Sequence, residues 1–396
     1  MNFKDCPVNE FIRELQGRKV ICFGAGGTLI EPEVNTDIKK IIDLEKHIAF
    51  LVDNDTNKQG LKFHYRDNEF EIKSPAVLEA VNAADYVLLI TCEYFVEIYH
   101  QLKDVKNLED MDCYLHKTVC RAGDVDLNQF FTKEIEKAPY KEWRKILANL
   151  HLKDKHKGQR CFFIGNGPSL KSADLELLKN EISFGVNGIY HIFNQTSWRP
   201  TYYITIDTVA YPGIHEIVSR LEAEVRFVPF QNAVLAGKVY DEVTYFNQEL
   251  GDTHVENNRI VENKPLTFSE DIEKGICCRH TVLYAAFQLA VYMGFSEIYL
   301  LGLDHSYNGG ILEDGTKVEH KGNSHFYERL TSKIDESAPF YLDAMTYAYQ
   351  RAKEICDKKG IIVKNATRGG RLEVFERVDF EKLVQEKENE DINGCL

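Results

Sequence analysis

The chain has 396 residues, with 48 Lys+Arg against 62 Asp+Glu, a formal net charge of −14. At roughly 150 residues per domain this length predicts two or three domains, and 44% apolar with 11% aromatic content supplies cores that exclude wholesale disorder. The acidic balance argues against broad binding to nucleic-acid backbones and leaves room for a local basic pocket.

In chain order, the polar stretch Met1–Val20 holds no apolar core of signal-peptide length. It includes a helical pattern from Val8 to Leu15. Apolar runs at Lys19–Phe23, Ile48–Val52 and Tyr86–Thr91, with a helical stretch at Val96–Leu102, predict a small α/β unit. The charged segment 134–157 predicts a helical linker. Further strands are predicted at Cys161–Ile164, Ser183–Val186, Tyr202–Ile206, Ile298–Leu301 and Ile361–Val363, with long helices at Thr281–Met293 and 341–359. The fold class is therefore α/β: two Rossmann-like domains with mostly parallel sheets flanked by helices. The expected division is 1–133, linker 134–157, a catalytic unit 158–380 and an acidic tail 381–396. No run of about 18 apolar residues occurs, so no transmembrane segment is predicted. The ten cysteines form no C-x-x-C, which predicts free thiols in a reducing cytoplasm and no metal-thiolate site.

Polar residues punctuate the strand ends, where open α/β sheets bind ligands. Gly24-Ala25-Gly26-Gly27 follows a strand, with Asp53 ending the next. This reads as a pyrophosphate cradle with a ribose acid, or as a tight turn in a scaffold without cofactor, since Leu29 replaces the third glycine. Gly165-Asn166-Gly167-Pro168-Ser169 allows close backbone approach to a nucleotide, with Ser169 placed to cap the next helix. Asn187 and Asp207 end the following strands. Arg279-His280-Thr281 precede a helix whose N-terminus suits an anion, or Thr281 is a plain cap. Asp304 reads as a ligand for a hydroxyl or Mg²⁺, or as a local cap. Tyr307 and His305 read as donors to a leaving phosphate. His325, with His320 as alternate, reads as a general base in a polar loop.

The segments CFFIGNGPSLKSADLELLKN…FGVNG and TVLYAAFQLAVYMGFSEIYLLGLDHSYNG resemble the nucleotide-binding blocks of bacterial sialyltransferases that use CMP-sialic acid. With NSHFYERL and GIIVKNATRGGRLEVFERVDFE, residues 158–380 look still more like the central domain of motility accessory factor (Maf) proteins, shared with archaeal 6-hydroxymethylpterin diphosphokinases. The first unit resembles the small Rossmann-like domains attached to many sugar-modifying proteins. The resemblance implies a surface-glycan or glycoprotein glycosyltransferase that moves a sialic-like nonulosonic acid from a CMP donor to a glycan or protein hydroxyl. It implies nucleotide contacts from Gly165, Asn166, Gly167, Pro168, Ser169 and Asn187, support of the leaving phosphate near Tyr307, and a base at His325. Tyr307 is shifted by one position from the family's tyrosine, and Ser306 stands in the aligned place. No cofactor is obligate, peripheral membrane contact is admitted, and the oligomeric state is left open. The alternatives are an ATP- and Mg²⁺-dependent pterin diphosphokinase, with Asp207 and Asp304 as metal ligands, and a non-catalytic nucleotide-sugar-binding protein.

Overall fold

The computed structural model describes the chain apart from residues 5, 7–9, 26–43, 66–67, 93, 117–124, 250–252, 257–258, 263–265, 307–309, 312–316, 319–324, 328–339 and 386–396. The first sheet is built from β1 (Asn2–Phe3), β2 (Lys19–Phe23), β3 (Ile48–Val52), β4 (Lys62–Tyr65), β5 (Asn68–Lys73), β6 (Tyr86–Ile90) and β7 (Asp112–Leu115), in the order β1-β7-β6-β2-β3-β5-β4. Its pairings are parallel except the β4–β5 hairpin. The apolar runs of β2, β6 and β7 are buried almost end to end, the pattern of parallel strands covered on both faces. The expected helix from Val8 is described only over Phe11–Glu14.

The second sheet has eight parallel strands: β8 (Arg160–Ile164), β9 (Ser183–Val186), β10 (Tyr202–Ile204), β11 (Val225–Pro229), β12 (Thr244–Phe246), β17 (Glu297–Leu301), β21 (Ile362–Asn365) and β22 (Glu376–Arg377), ordered β12-β11-β10-β9-β8-β17-β21-β22. Short pairings lie outside it: β13 (Gln248–Glu249) with β16 (Ile276–Cys277), β14 (Thr253–Glu256) with β15 (Arg259–Glu262), and β18 (Gly310–Ile311) between β19 (Lys317–Val318) and β20 (Phe340–Tyr341). The strand expected at Tyr202–Ile206 stops at Ile204, because Asp207 turns the chain by accepting the Val209 and Ala210 N–H groups. From β8 the chain steps outward to β12, then returns on the other side of β8 as β17. The switch point of the sheet therefore falls between the C-terminal ends of β8 and β17, where a crevice opens.

Helix Val282–Tyr292 is apolar all round, and Val282–Ala290 are all buried, as a central helix requires. Its one interior amide side chain, Gln288, is fully buried and fully bonded: Oε1 accepts from the N–H groups of Ser269 and Cys277, both at 2.9 Å, and Nε2 donates to the carbonyls of Cys277 and Tyr284, both at 2.8 Å. That network fixes segment 269–278 against the helix.

A buried aromatic ladder runs from Phe130 and Phe131, at the end of the first expected domain, into the segment 134–157 read from its charge as a linker. Phe131 stacks on Phe3 (4.3 Å) and Tyr99 (4.7 Å) of the first unit, Phe130 meets Tyr140 edge-on, and Tyr140 and Trp143 pack on Phe230 of the second at 4.3 and 5.1 Å. The lysines face outward, and the aromatic side chains join the two cores. Burial of each such ring is worth about 1.5–3 kcal/mol.

Candidate functional site

The loops that leave β8 and β17 are zipped together. Gly165 N–H donates to Leu301 C=O and Gly167 N–H to Gly302 C=O, both at 2.8 Å. A side chain on Gly165 would meet the Gly302 carbonyl, and one on Gly167 would collide with the Asp304 carboxylate. These glycines are thus required by loop-on-loop packing. Asp304 Oδ2 accepts from Ser169 Oγ at 2.7 Å and from Ser169 N at 3.4 Å. Burial raises the Asp304 pKa, and the Ser169 bonds oppose that rise. Ser169 therefore does not cap the next helix, as its position had suggested. Helix Ser172–Leu177 starts at Lys171 with no side-chain cap. The far side of Asp304 is held by Thr367–Arg371: Leu303 N–H donates to Thr367 Oγ1 (3.1 Å), and Arg371 N–H to Asp304 C=O (2.7 Å).

Around this junction lies an open cleft. One wall is Gly165, Asn166, Gly167, Val186 and Asn187; the other is Gly302–Ser306. The floor is the start of the buried helix, Thr281, Val282 and Leu283, and His325 and Tyr349 complete the lining. Asn166 Nδ2 donates to Val186 C=O at 3.0 Å, while its buried Oδ1 has no hydrogen-bond partner among the described residues. Asn187 adopts a left-handed φ of 46°. Tyr203 OH donates to its carbonyl and Thr205 Oγ1 to its Oδ1, so its amide NH₂ is the group left to donate. Thr281 caps the helix by accepting Leu283 N–H at 3.4 Å, and Tyr349 OH lies 3.3 Å from the same oxygen. A helix N-terminus with neutral amide donors beside it suits an anion.

Two histidines line the cleft. His305, also left-handed (φ 49°), places Nε2 2.9 Å from Thr346 Oγ1 and its ring edge-on to Tyr349; burial lowers its pKa. His325 is half-buried. Its segment is docked by Phe326 N–H on Asn166 C=O at 2.9 Å and by Tyr327, whose ring stacks 4.4 Å from His191 and whose hydroxyl fills the space a Gly188 side chain would need.

Of the residues singled out in the sequence, Gly165, Asn166, Gly167, Asn187, Thr281, Asp304, His305 and His325 meet in this cleft. Pro168, Ser169, Asp207, Arg279 and His280 are not among its lining residues. Arg279 is buried, which lowers its pKa to about 10, and burial together with Arg279 lowers His280 to about 4. Tyr307 and His320 lie outside the described residues, as does Gly26 of the first loop. In that first unit Gly24 (φ 114°) backs onto Cys92. Asp53 accepts from Ala25 N (2.8 Å) and Asp55 N (2.9 Å), with Lys58 Nζ at 3.4 Å. Its carboxylate therefore holds its own loop. Thr346, Tyr349 and Tyr327 were not foreseen. The first two share one face of an amphipathic helix, and helical spacing alone assigns them to the core.

Asp207 Oδ1 accepts from two backbone N–H groups, and Asp304 Oδ2 accepts from Ser169. No group of three His, Cys, Asp or Glu side chains stands at metal-ligating distance among the described residues.

Residues 138–310 match the family model described as 6-hydroxymethylpterin diphosphokinase MptE-like. It contains both loops of the switch point and the helix Val282–Tyr292. A solved structure, that of the Maf glycosyltransferase from Magnetospirillum magneticum AMB-1, matches across 96% of this chain and 61% of its own length, at 13% identity and a TM-score of 0.35. This chain thus spans less than two thirds of that protein. No curated protein gives a significant match. No helix among the described residues is long and apolar enough to cross a membrane.

Proposed function

We propose that the protein is a glycosyltransferase that uses a CMP-linked sugar, of the sialic-like nonulosonic acid class, in surface-glycan or glycoprotein synthesis. The observation that carries this reading is the convergence of a capped helix N-terminus, the amides of Asn166 and Asn187, and two imidazoles in one cleft at the switch point. The nucleotide lies over the ends of β8 and β9. Its phosphate faces Thr281–Leu283, where helix N–H groups neutralise charge as it develops. His325 takes the proton of the acceptor hydroxyl; the new C–O bond forms at the anomeric carbon as the bond to CMP breaks. Direct attack inverts that carbon. The match to a 6-hydroxymethylpterin diphosphokinase MptE-like family model favours a second reading, diphosphoryl transfer from ATP to a pterin alcohol.

Thermal-shift measurements with CMP, CDP, ATP and pterin, each with and without Mg²⁺, separate the readings. Stabilisation by CMP without metal is the expected result. Stabilisation by ATP only with Mg²⁺ would replace this reading with the second. No response to any nucleotide would leave a non-catalytic role. Given a CMP response, His325→Ala should lower transfer by roughly 10²-fold or more.

A further inference from the structure

Asn187 stands at the end of β9, half-buried, in the wall of the cleft. Its left-handed backbone is a conformation that asparagine tolerates. Strand β10 braces it. The register pairs Tyr203 with Gly185 and Ile204 with Val186, so Tyr203 and Thr205, two positions apart, share one face beside the end of β9. Both are fully buried. The Tyr203 hydroxyl donates to the Asn187 backbone carbonyl at 2.8 Å, and Thr205 Oγ1 donates to Asn187 Oδ1 at 3.1 Å. Thr205 also stands against the Tyr203 hydroxyl, so the three residues form one brace. What remains of the Asn187 side chain is its NH₂. Among the described residues that nitrogen has no protein partner, and it is not sealed from solvent as Asn166 Oδ1 is.

An amide can turn over and exchange its oxygen with its nitrogen. Here Thr205 decides which way it faces. Turned over, the NH₂ would point at Thr205 Oγ1, and the hydroxyl proton of that buried side chain would lose Oδ1. It would be left with the Tyr203 oxygen, a weaker acceptor than an amide carbonyl, and a poorly accepted buried donor is costly. We propose that Thr205 and Tyr203 are positioning residues that lock the Asn187 amide with its NH₂ toward the cleft, so that this wall takes its ligand through a hydrogen-bond acceptor. The acceptor's identity rests on the transferase reading. In that reading the phosphate faces Thr281–Leu283, so the group that meets Asn187 belongs to the nucleoside, where a cytosine edge offers a carbonyl oxygen and an unprotonated ring nitrogen.

The test follows side-chain NH₂ signals by NMR in the full chain labelled with ¹⁵N-asparagine. The Asn187 pair is identified by its loss in Asn187→Asp. Without ligand, its exchange with water is expected to be fast in the wild type and in Thr205→Ser, and cytidine and CMP should slow it. Thr205→Val keeps the shape and lacks the donor, so it should bind CMP roughly 10-fold more weakly, with Thr205→Ser within about 3-fold of the wild type. A ligand-free NH₂ that is protected from exchange, or unchanged CMP affinity in Thr205→Val, overturns the lock. Slowing by inorganic phosphate and not by cytidine overturns the assignment to the nucleoside. If Thr205→Val does not fold, exchange in the wild type and in Thr205→Ser decides the matter. A wild type that responds to neither CMP nor cytidine fails the transferase reading, and the ligand-free exchange then judges the lock alone.

Discussion

Gly167 and Asp304 meet across the switch point with no room for a side chain between them. The backbone of Gly167 is not left-handed, so the requirement for glycine is steric alone. Gly167→Ala should force the Asp304 carboxylate off Ser169 and cost about 2–4 kcal/mol, within the range for overpacking plus a lost buried bond. The expected check is a double-mutant cycle by urea unfolding. Asp304→Ala removes the nearer obstacle and leaves the Gly302 carbonyl at 2.7 Å, so Gly167→Ala should cost about 1 kcal/mol less in that background. Additive costs would show that the two residues do not press on each other.

Gly188 and Tyr327 make a second such pair, and it bears on His325. The Tyr327 hydroxyl occupies the space of a Gly188 side chain, and the next amide back, Phe326 N–H, is bonded to Asn166. Gly188→Val should unseat the ring and release that amide. Hydrogen exchange followed by mass spectrometry is expected to show faster exchange at 325–327 with little change in β8 or β9. Protection equal to that of the wild type would mean that the segment is held by other contacts.

The sequence made β8 and β9 legible because Cys161–Ile164 and Ser183–Val186 are continuous apolar runs bounded by polar residues. It hid β11, whose run is broken by Arg226 and closed by Pro229. The residues of the cleft stood out as polar strand ends, but their partners did not. Ser169 and Asp304 are 135 positions apart, and only the return of β17 beside β8 brings them together. A local sequence therefore reads Ser169 as a cap, whereas the sheet order gives its hydroxyl to Asp304. The charge of 134–157 likewise advertised a solvated linker, while Tyr140 and Trp143 within it pack on Phe230 of the second unit.

Gln288 is the polar centre of an apolar helix, and its four bonds are all to backbone groups. Gln288→Leu conserves volume but strands the N–H groups of Ser269 and Cys277 and the Cys277 carbonyl in a dry site. Each stranded group costs about 1–3 kcal/mol. A loss of roughly 3–5 kcal/mol is expected, read as a lower denaturant midpoint, together with faster exchange over 269–278. A loss under about 1 kcal/mol would mean that water reaches those groups.

His280 should shape the acid limb of the stability curve. Its pKa is lowered from 6.5 to about 4, by burial first and by Arg279 second. The unfolded chain therefore binds a proton that the folded chain refuses. Between these two values the unfolded state holds more protons, so stability rises with pH there and is lost as pH falls from about 6.5 toward about 4. At about pH 5 the deficit relative to neutrality comes to about 2 kcal/mol. His280 has a φ of 64°, a conformation that asparagine tolerates, so His280→Asn removes the titration while keeping the backbone. Urea midpoints measured near pH 5 and near neutrality are expected to differ less in His280→Asn than in the wild type. Equal differences in the two proteins would assign the acid limb to other groups, such as His305, whose pKa burial also lowers.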